Sequence, residues 1–229
     1  MSDQLKDISC TDEKAKKIVE RFCSHVHWLV KVRYTFKVLF EDRQPSCRTL
    51  MEKTASSFFA DLNRILQEYL LLECAKITDP ATTYDDANFT VDFLVQNISW
   101  PNDKKKGLES LQADAANFRK HIKRARNKLL AHLDGEAVLS GKPLGEFPEG
   151  KDGTFFEALQ KICDISHEAC FGTIYGDMSH VTVGAGDVVS LRKTLKCAVA
   201  FEQALLEGSG QTKAWLYSCM ERAAHESKS

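Results

Sequence analysis

The sequence lacks the long apolar runs and the paired cysteines that mark membrane or secreted proteins, and we expect no leader. No run approaches the roughly 18 apolar residues that cross a bilayer. The first segment, MSDQLKDISCTDEKAKK, is polar and contains acidic residues, unlike a signal peptide. The eight cysteines include no C-x-x-C pair, which indicates small buried hydrophobes in a reducing cytosol. We therefore expect a cytoplasmic protein with no membrane partner, no metal and no cofactor.

Repeats, low-complexity tracts and a convincing series of strands are also missing. The glycines at 172–186 have no lysine and no strand–helix context, which excludes a phosphate-binding loop of the usual kind. The pattern that the sequence does show is the helical spacing of its apolar residues. Pro45-Ser46, Asp79-Pro80, Trp100-Pro101 and Gly135 divide the first part of the chain into long and short helical segments.

The pattern therefore predicts an all-α fold, an up-and-down helical bundle with additional C-terminal helices. Residues 135–153 carry five glycines and two prolines and form the one clear break. We expect a bundle core over residues 1–135. Residues 136–229 would supply C-terminal helices at about 154–175, 185–207 and 211–225, packed on the same domain.

The first helix carries an apolar stripe that one charged residue interrupts. Val19, Phe22, Val26 and Leu29 recur at helical spacing. Arg33 then falls within the stripe. Two interpretations stay open: Arg33 extends its charged end from the edge of the stripe, or it is buried with an acidic partner.

A basic segment lies near the middle of a nearly neutral chain. NFRKHIKRARNKLLAHLD, residues 117–134, has no acidic residue until Asp134, while the whole chain has a net charge of −1. It contains Arg126 and Asn127, then four residues, then His132. An arginine suits phosphate, and a histidine transfers protons near neutral pH.

An ideal helix through this segment separates the three polar residues. At about 100° per residue, Arg126 and His132 lie on opposite shoulders of the apolar stripe, roughly 120° apart. Asn127 projects to the far side. One helix would not direct Arg126 and His132 to a single atom, whereas two copies related by a two-fold axis would bring Arg126 of one near His132 of the other. A structural interpretation is open too, because a histidine in the last turn before Gly135 is favoured by the helix dipole alone.

Two segments together resemble the HEPN superfamily of nucleotide-binding domains, in its abortive-infection, AbiU-like branch. RNKLLAH, 126–132, is similar to the arginine–polar residue–histidine signature of the superfamily. AKITDPATTYDDANFTVDFL, 75–94, is similar to the preceding stretch in that branch, with an Asp-Pro turn and an Asn-x-[ST]-hydrophobic helix start. The resemblance covers about residues 15–135.

The resemblance implies a dimeric helical bundle whose paired signatures form one cleft, and in many members a metal-independent endoribonuclease of toxin–antitoxin or phage-defence systems. His132 would be the general acid or base, Arg126 would stabilise transition-state charge, and Asn127 would position the substrate or its partner residue. Nucleic-acid backbone contacts would come from four further side chains: Lys120, Lys123, Arg124 and Lys128. RNA, a second copy and a possible antitoxin or regulatory protein are the expected partners. The alternatives are a non-catalytic HEPN-like module that binds nucleic acid, a nucleotide or a protein, and a purely structural adaptor.

Overall fold

The described part of the chain is mostly helical. The computed structural model describes residues 8–41, 45–83, 86–126, 150–178 and 187–226. Within these ranges it has seven α-helices, here α1 (Glu13–Phe36), α2 (Pro45–Ile77), α3 (Val91–Asn97), α4 (Asn102–Arg126), α5 (Lys151–Phe171), α6 (Val188–Glu207) and α7 (Gly210–Glu226). A five-residue π-helical segment, Lys37–Glu41, continues α1. The predicted all-α fold class is confirmed.

Four strands of two residues each form two small two-stranded sheets. β1 (Ile8–Ser9) pairs in parallel with β4 (Ile98–Ser99), which joins the stretch before α1 to the end of α3. β2 (Thr82–Thr83) pairs antiparallel with β3 (Asp86–Ala87) in the connection between α2 and α3. Strands this short hold together the segments that they pair and do not build a sheet with a core of its own.

The chain divides into two compact units. Unit 1 comprises Met1–Tyr34 and Ile65–Val181, and unit 2 comprises Thr35–Arg64 and Thr182–Ser229. The α5 helix, although it follows the glycine-rich break, belongs to unit 1 and packs along α4. The division into residues 1–135 and 136–229 stays a prediction.

The core of unit 1 contains the apolar stripe that the sequence predicts on α1. Val19, Phe22, Val26 and Leu29 are fully buried. The α4 and α5 helices contribute an aromatic pair, Phe118 and Phe155, whose rings stack with centroids 4.0 Å apart. Because these rings are buried, their contact stabilises the α4–α5 packing through both apolar burial and ring stacking.

Arg33 is a half-buried arginine with an acidic partner, the second of the two interpretations that the sequence left open. Its Nε and Nη2 atoms donate to Oδ2 of Asp152 at 3.1 Å and 2.7 Å. Its guanidinium also lies 4.5 Å from the ring centroid of Phe156. Asp152 occupies the first turn of α5, where the helix dipole favours a negative charge. The pair therefore ties the end of α1 to the start of α5.

The connection from α2 to α3 is held by its own polar side chains. The Nδ2 group of Asn88 donates to the carbonyl of Pro80 at 2.9 Å and to Oγ1 of Thr83 at 2.7 Å. Thr90 is the N-cap of α3, since its hydroxyl accepts from the backbone N–H of Phe93 at 3.1 Å. The Asn-x-Thr-Val pattern thus has a structural role: it folds the turn after Asp79-Pro80 and starts α3.

Unit 2 contains the π-helical segment and the first part of α2. The thiol of Cys47 donates to the carbonyls of Val38 and Leu39 at 3.6 Å and 3.7 Å, which binds the start of α2 to the π-helical segment. The α2 helix is kinked at Ala55. Phe58 on this helix is 60% exposed. Leu206, Trp215 and Tyr217 are exposed as well.

Six cysteines are buried, and none of the eight, all of which lie in the described ranges, forms a disulfide, so the predicted role as small buried hydrophobes is confirmed for those six. The exceptions are Cys197, which is exposed, and Cys219, which is intermediate. Among the residues that the structure describes, no helix is long and apolar enough to cross a membrane. These residues also contain no group of three or more His, Cys, Asp or Glu side chains placed to hold a metal ion.

Candidate nucleic-acid interface

The α4 helix separates its charges along its length. Its first half contains Asp103, Glu109 and Asp114, and no acidic residue follows before the helix reaches Arg126. Lys120 and Lys123 are both exposed in the second half. Two cations one turn apart on a solvent-facing surface provide charge for phosphate groups without any requirement for a particular base.

Arg119 is a structural member of the basic segment. Its Nη2 atom lies 3.0 Å from Oδ1 of Asp79, and the two side chains are 31% and 16% exposed. Asp79 lies two residues after the end of α2, near the helix C-terminus, where the dipole disfavours a carboxylate unless a cation offsets it. The ion pair therefore joins the Asp-Pro turn to α4 and removes one of the six basic residues from the surface charge.

The first of the predicted catalytic residues, Arg126, is the last described residue of α4. Its Cα lies about 10 Å beyond that of Arg119 along the helix axis, on the same side. The side chains of Arg124 and Arg126 lie outside what the structure describes, as do Asn127, Lys128 and His132 altogether. The predicted convergence of Arg126, Asn127 and His132 thus stays a prediction. Lys120 and Lys123 are exposed, and their role in nucleic-acid binding stays a prediction as well.

A cavity beside the basic stretch has no counterpart in the sequence-based prediction. It has a volume of about 330 Å³ and is lined by six residues of α4 and α5: Asp114, Asn117, Phe118, His121, Thr154 and Phe155. Asp114, Asn117 and His121 follow one another at spacings of three and four, which places them on one face of α4. This spacing is the one sequence feature that could have indicated the cavity, because three polar side chains beside an apolar stripe predict an apolar surface with a polar edge.

Histidines elsewhere in unit 1 have structural contacts. The Nε2 atom of His25 lies 3.4 Å from Oε2 of Glu73, a side chain that also accepts from Lys76. The Nδ1–H of His167 donates to the carbonyl of Thr173 at 2.6 Å and holds the segment after α5. Neither histidine lies in the basic segment, so they offer no competing acid–base site there.

Comparison with known proteins identifies one family. The sequence model HEPN_AbiU2, described as AbiU2, matches residues 12–182. The match spans both segments that carry the resemblance, and it extends beyond residue 135 through α5. No curated protein matches the chain, and no solved structure does.

Proposed function

The chain belongs to the HEPN_AbiU2 family, whose model covers most of its length, and on that premise we propose that it is a metal-independent endoribonuclease related to toxins or phage defence. Its site would combine Arg126, Asn127 and His132 of two copies at a dimer interface. Such a role implies action in the cytoplasm and control by an antitoxin or another regulatory protein, and both belong to this proposal.

The observation that carries the proposal is the exposed cationic surface on α4. Lys120 and Lys123 point to solvent on the helix that leads into the Arg126–His132 signature. Cations of this kind neutralise RNA phosphates and release counterions, so the binding they give weakens as salt rises. Arg119 contributes less, because Asp79 already neutralises it.

The chemistry assigns a separate task to each signature residue. A base removes the proton of a ribose 2′-hydroxyl, whose oxygen attacks the adjacent phosphorus. The bond from phosphorus to the 5′-oxygen breaks, and that oxygen takes a proton from an acid. His132 would serve in one of these proton transfers, Arg126 would stabilise the charge that develops on the phosphoryl oxygens, and Asn127 would orient the substrate. The products are a 2′,3′-cyclic phosphate and a 5′-hydroxyl end.

A second candidate is a HEPN-like module that binds without cleavage. The exposed Lys120 and Lys123 favour it equally, because backbone contacts require no catalytic group. The ligand would be nucleic acid, a nucleotide or a protein partner. Retention of RNA that falls with salt, with no cleavage products, would distinguish this module from the enzyme.

The test is incubation of the pure protein with end-labelled single-stranded RNA in EDTA. We expect the wild type to yield cyclic-phosphate ends. His132→Ala should lower the rate at least a hundredfold, because general acid–base catalysis contributes about 10²–10⁴-fold. His225→Ala is the matched control, since that histidine lies outside the family match. Cleavage by folded His132→Ala at the wild-type rate would refute the assignment. Absence of cleavage with salt-sensitive retention would favour the binding module.

A further inference from the structure

The cavity between α4 and α5 has a polar rim above an apolar floor. Phe118 and Phe155 are 5% and 3% exposed and form the floor, while Asp114, Asn117 and His121 are exposed at the rim. A volume of about 330 Å³ lies at the low end of the range of small-molecule sites, about 300–1,000 Å³. The cavity is therefore of a size for one flat heterocycle and its sugar.

The polar groups on this rim can be assigned as hydrogen-bond donors or acceptors. Within the described residues no hydrogen bond or ion pair uses the carboxylate of Asp114, so both of its oxygens can accept. The Oδ1 atom of Asn117 accepts from Nζ of Lys120 at 3.0 Å. That contact orients the amide, so its NH₂ group remains as the donor toward a ligand. The rim thus offers paired acceptors from one residue and a donor from another.

We propose that this cavity binds a guanine base, and that it selects a guanosine of the RNA on which the proposed ribonuclease acts. The Watson–Crick edge of guanine presents two adjacent donors, N1–H and the N2 amino group, which match the two oxygens of the Asp114 carboxylate. Guanine O6, an acceptor beside those donors, matches the NH₂ group of Asn117. The apolar floor covers one face of the ring.

The other bases match this rim less well. Uracil presents one donor between two acceptors, so a carboxylate would face an oxygen on either side. Adenine and cytosine each present an amino group next to an acceptor nitrogen, so only one oxygen of Asp114 would receive a hydrogen bond. A site with polar groups that a ligand leaves unpaired discriminates strongly against that ligand.

The position of the cavity relates base selection to the phosphate contacts. Lys120 contacts the rim residue Asn117, and Lys123 follows within one turn, so both can meet phosphates next to the bound guanosine. His121 precedes Arg126 by five residues, about 7.5 Å along the helix axis. The selected base would therefore lie within a few nucleotides of the phosphate that is cleaved. This inference rests on the proposed function, whereas its test measures binding alone.

The test compares three fluorescein-labelled RNA heptamers: oligouridine, the same RNA with a central guanosine, and the same RNA with a central inosine. Anisotropy with the full-length His132→Ala protein in EDTA gives the affinities without cleavage. We expect the guanosine RNA to bind about 5- to 150-fold tighter than oligouridine, the range expected for a bidentate pair. Inosine should lose most of this preference, because it lacks the N2 amino group.

Asp114→Asn should abolish the preference for guanosine, and it should change oligouridine binding only as much as a variant that removes the same charge elsewhere on α4. Glu109→Gln is the matched control, because it removes the same charge from an exposed position of α4 outside the cavity. Equal affinity for the three RNAs, no retention of any of them, or a preference that survives in folded Asp114→Asn would overturn the inference. Guanosine monophosphate is the competitor: displacement of the RNA at equal concentration would assign the guanine pocket to a free nucleotide. Cleavage by the wild type without guanosine preference would leave the proposed function standing and remove only this inference.

Discussion

The thiols of Cys74, Cys163 and Cys170 lie in the core of unit 1, where burial controls their chemistry. Burial raises the pKa of the Cys170 thiol to about 12, and it also raises the pKa of the Cys74 and Cys163 thiols well above their ordinary range. The thiolate is the nucleophilic form of cysteine, so these three groups are unreactive at neutral pH. Cys197 on α6 is exposed and has no such protection.

Alkylation of the native protein should therefore separate the cysteines into two classes. At pH 8 we expect Cys197 to react with iodoacetamide within minutes, while Cys74, Cys163 and Cys170 react only after unfolding in urea. Peptide mass spectrometry of timed samples measures each site. In the Cys197→Ser variant, the alkylation that occurs within minutes should be lost at position 197 and unchanged at the other cysteines. Rapid labelling of Cys74 in native protein would contradict the burial of this part of the core.

Arg33 shows what a sequence pattern leaves undetermined at the scale of one residue. The stripe on α1 identifies the buried face, and a charged residue within it signals either an edge position or a buried pair. The partner, Asp152, is 119 positions away and beyond the glycine-rich break. Helical periodicity reports only which residues share a face. The ion pair depends on the packing of α1 and α5, which periodicity does not contain.

At the scale of elements, the start of α3 is determined by one side chain. Thr90 is 2% exposed and accepts a hydrogen bond from the backbone N–H of Phe93. The first N–H groups of a helix have no partner within it, so a capping hydroxyl satisfies a group that burial would otherwise leave unpaired. Asn88 holds the preceding turn in place.

Removal of this cap should weaken unit 1 by a measurable amount. We expect Thr90→Ala to lower the free energy of unfolding by about 1 kcal/mol, which corresponds to a fall in melting temperature of about 2–4 °C for a chain of this size. Thr90→Ser retains the hydroxyl and is the control. Thermal unfolding followed by circular dichroism measures both variants. Equal losses in the two would show that the methyl group, not the cap, stabilises this position.

The ends of the helices show why element boundaries are harder to predict than their existence. The sequence predicts a helix over 154–175, whereas α5 runs from Lys151 to Phe171 and ends at Gly172, with φ of +76°. The next residues fold back, since Gln160 binds the carbonyl of Gly176 and the N–H of Met178. These hydrogen bonds join residues 16 and 18 positions apart, so no local propensity reveals them. The helix predicted over 185–207 begins at Val188, because Asp187 caps it through the N–H of Ser190.

At the scale of the whole molecule, the proposed binding of RNA by a chain with a net charge of −1 would depend on the local arrangement of its cations. The sequence predicts the basic segment and its exposure at Lys120 and Lys123. It does not predict that Asp79 neutralises Arg119, because that contact depends on how α2 and α4 pack. The cavity is missed for the same reason: Thr154 and Phe155 reach it from α5, across the break in the chain.

The proposed two-fold site leads to a test by complementation between inactive chains. If Arg126 of one copy acts with His132 of the other, a mixed dimer of Arg126→Ala and His132→Ala chains has one site with both changes and one site with neither. Random exchange makes half of the dimers mixed, so the mixture should recover about a quarter of the wild-type cleavage rate. Each variant alone should remain inactive because every site then lacks one residue.

The experiment requires exchange of subunits, so the two proteins are mixed, partially unfolded in urea and refolded together, and light scattering checks the mass of the product. Wild type treated in the same way sets the reference rate, and each variant refolded alone sets the background. Recovery near a quarter would place Arg126 and His132 of different chains in one site. If the mixture forms dimers of the correct mass but shows only background activity, the shared site is contradicted. A site built within one chain would give this result, because each chain of a mixed dimer lacks either Arg126 or His132. A monomer mass at micromolar concentration would refute the dimer itself.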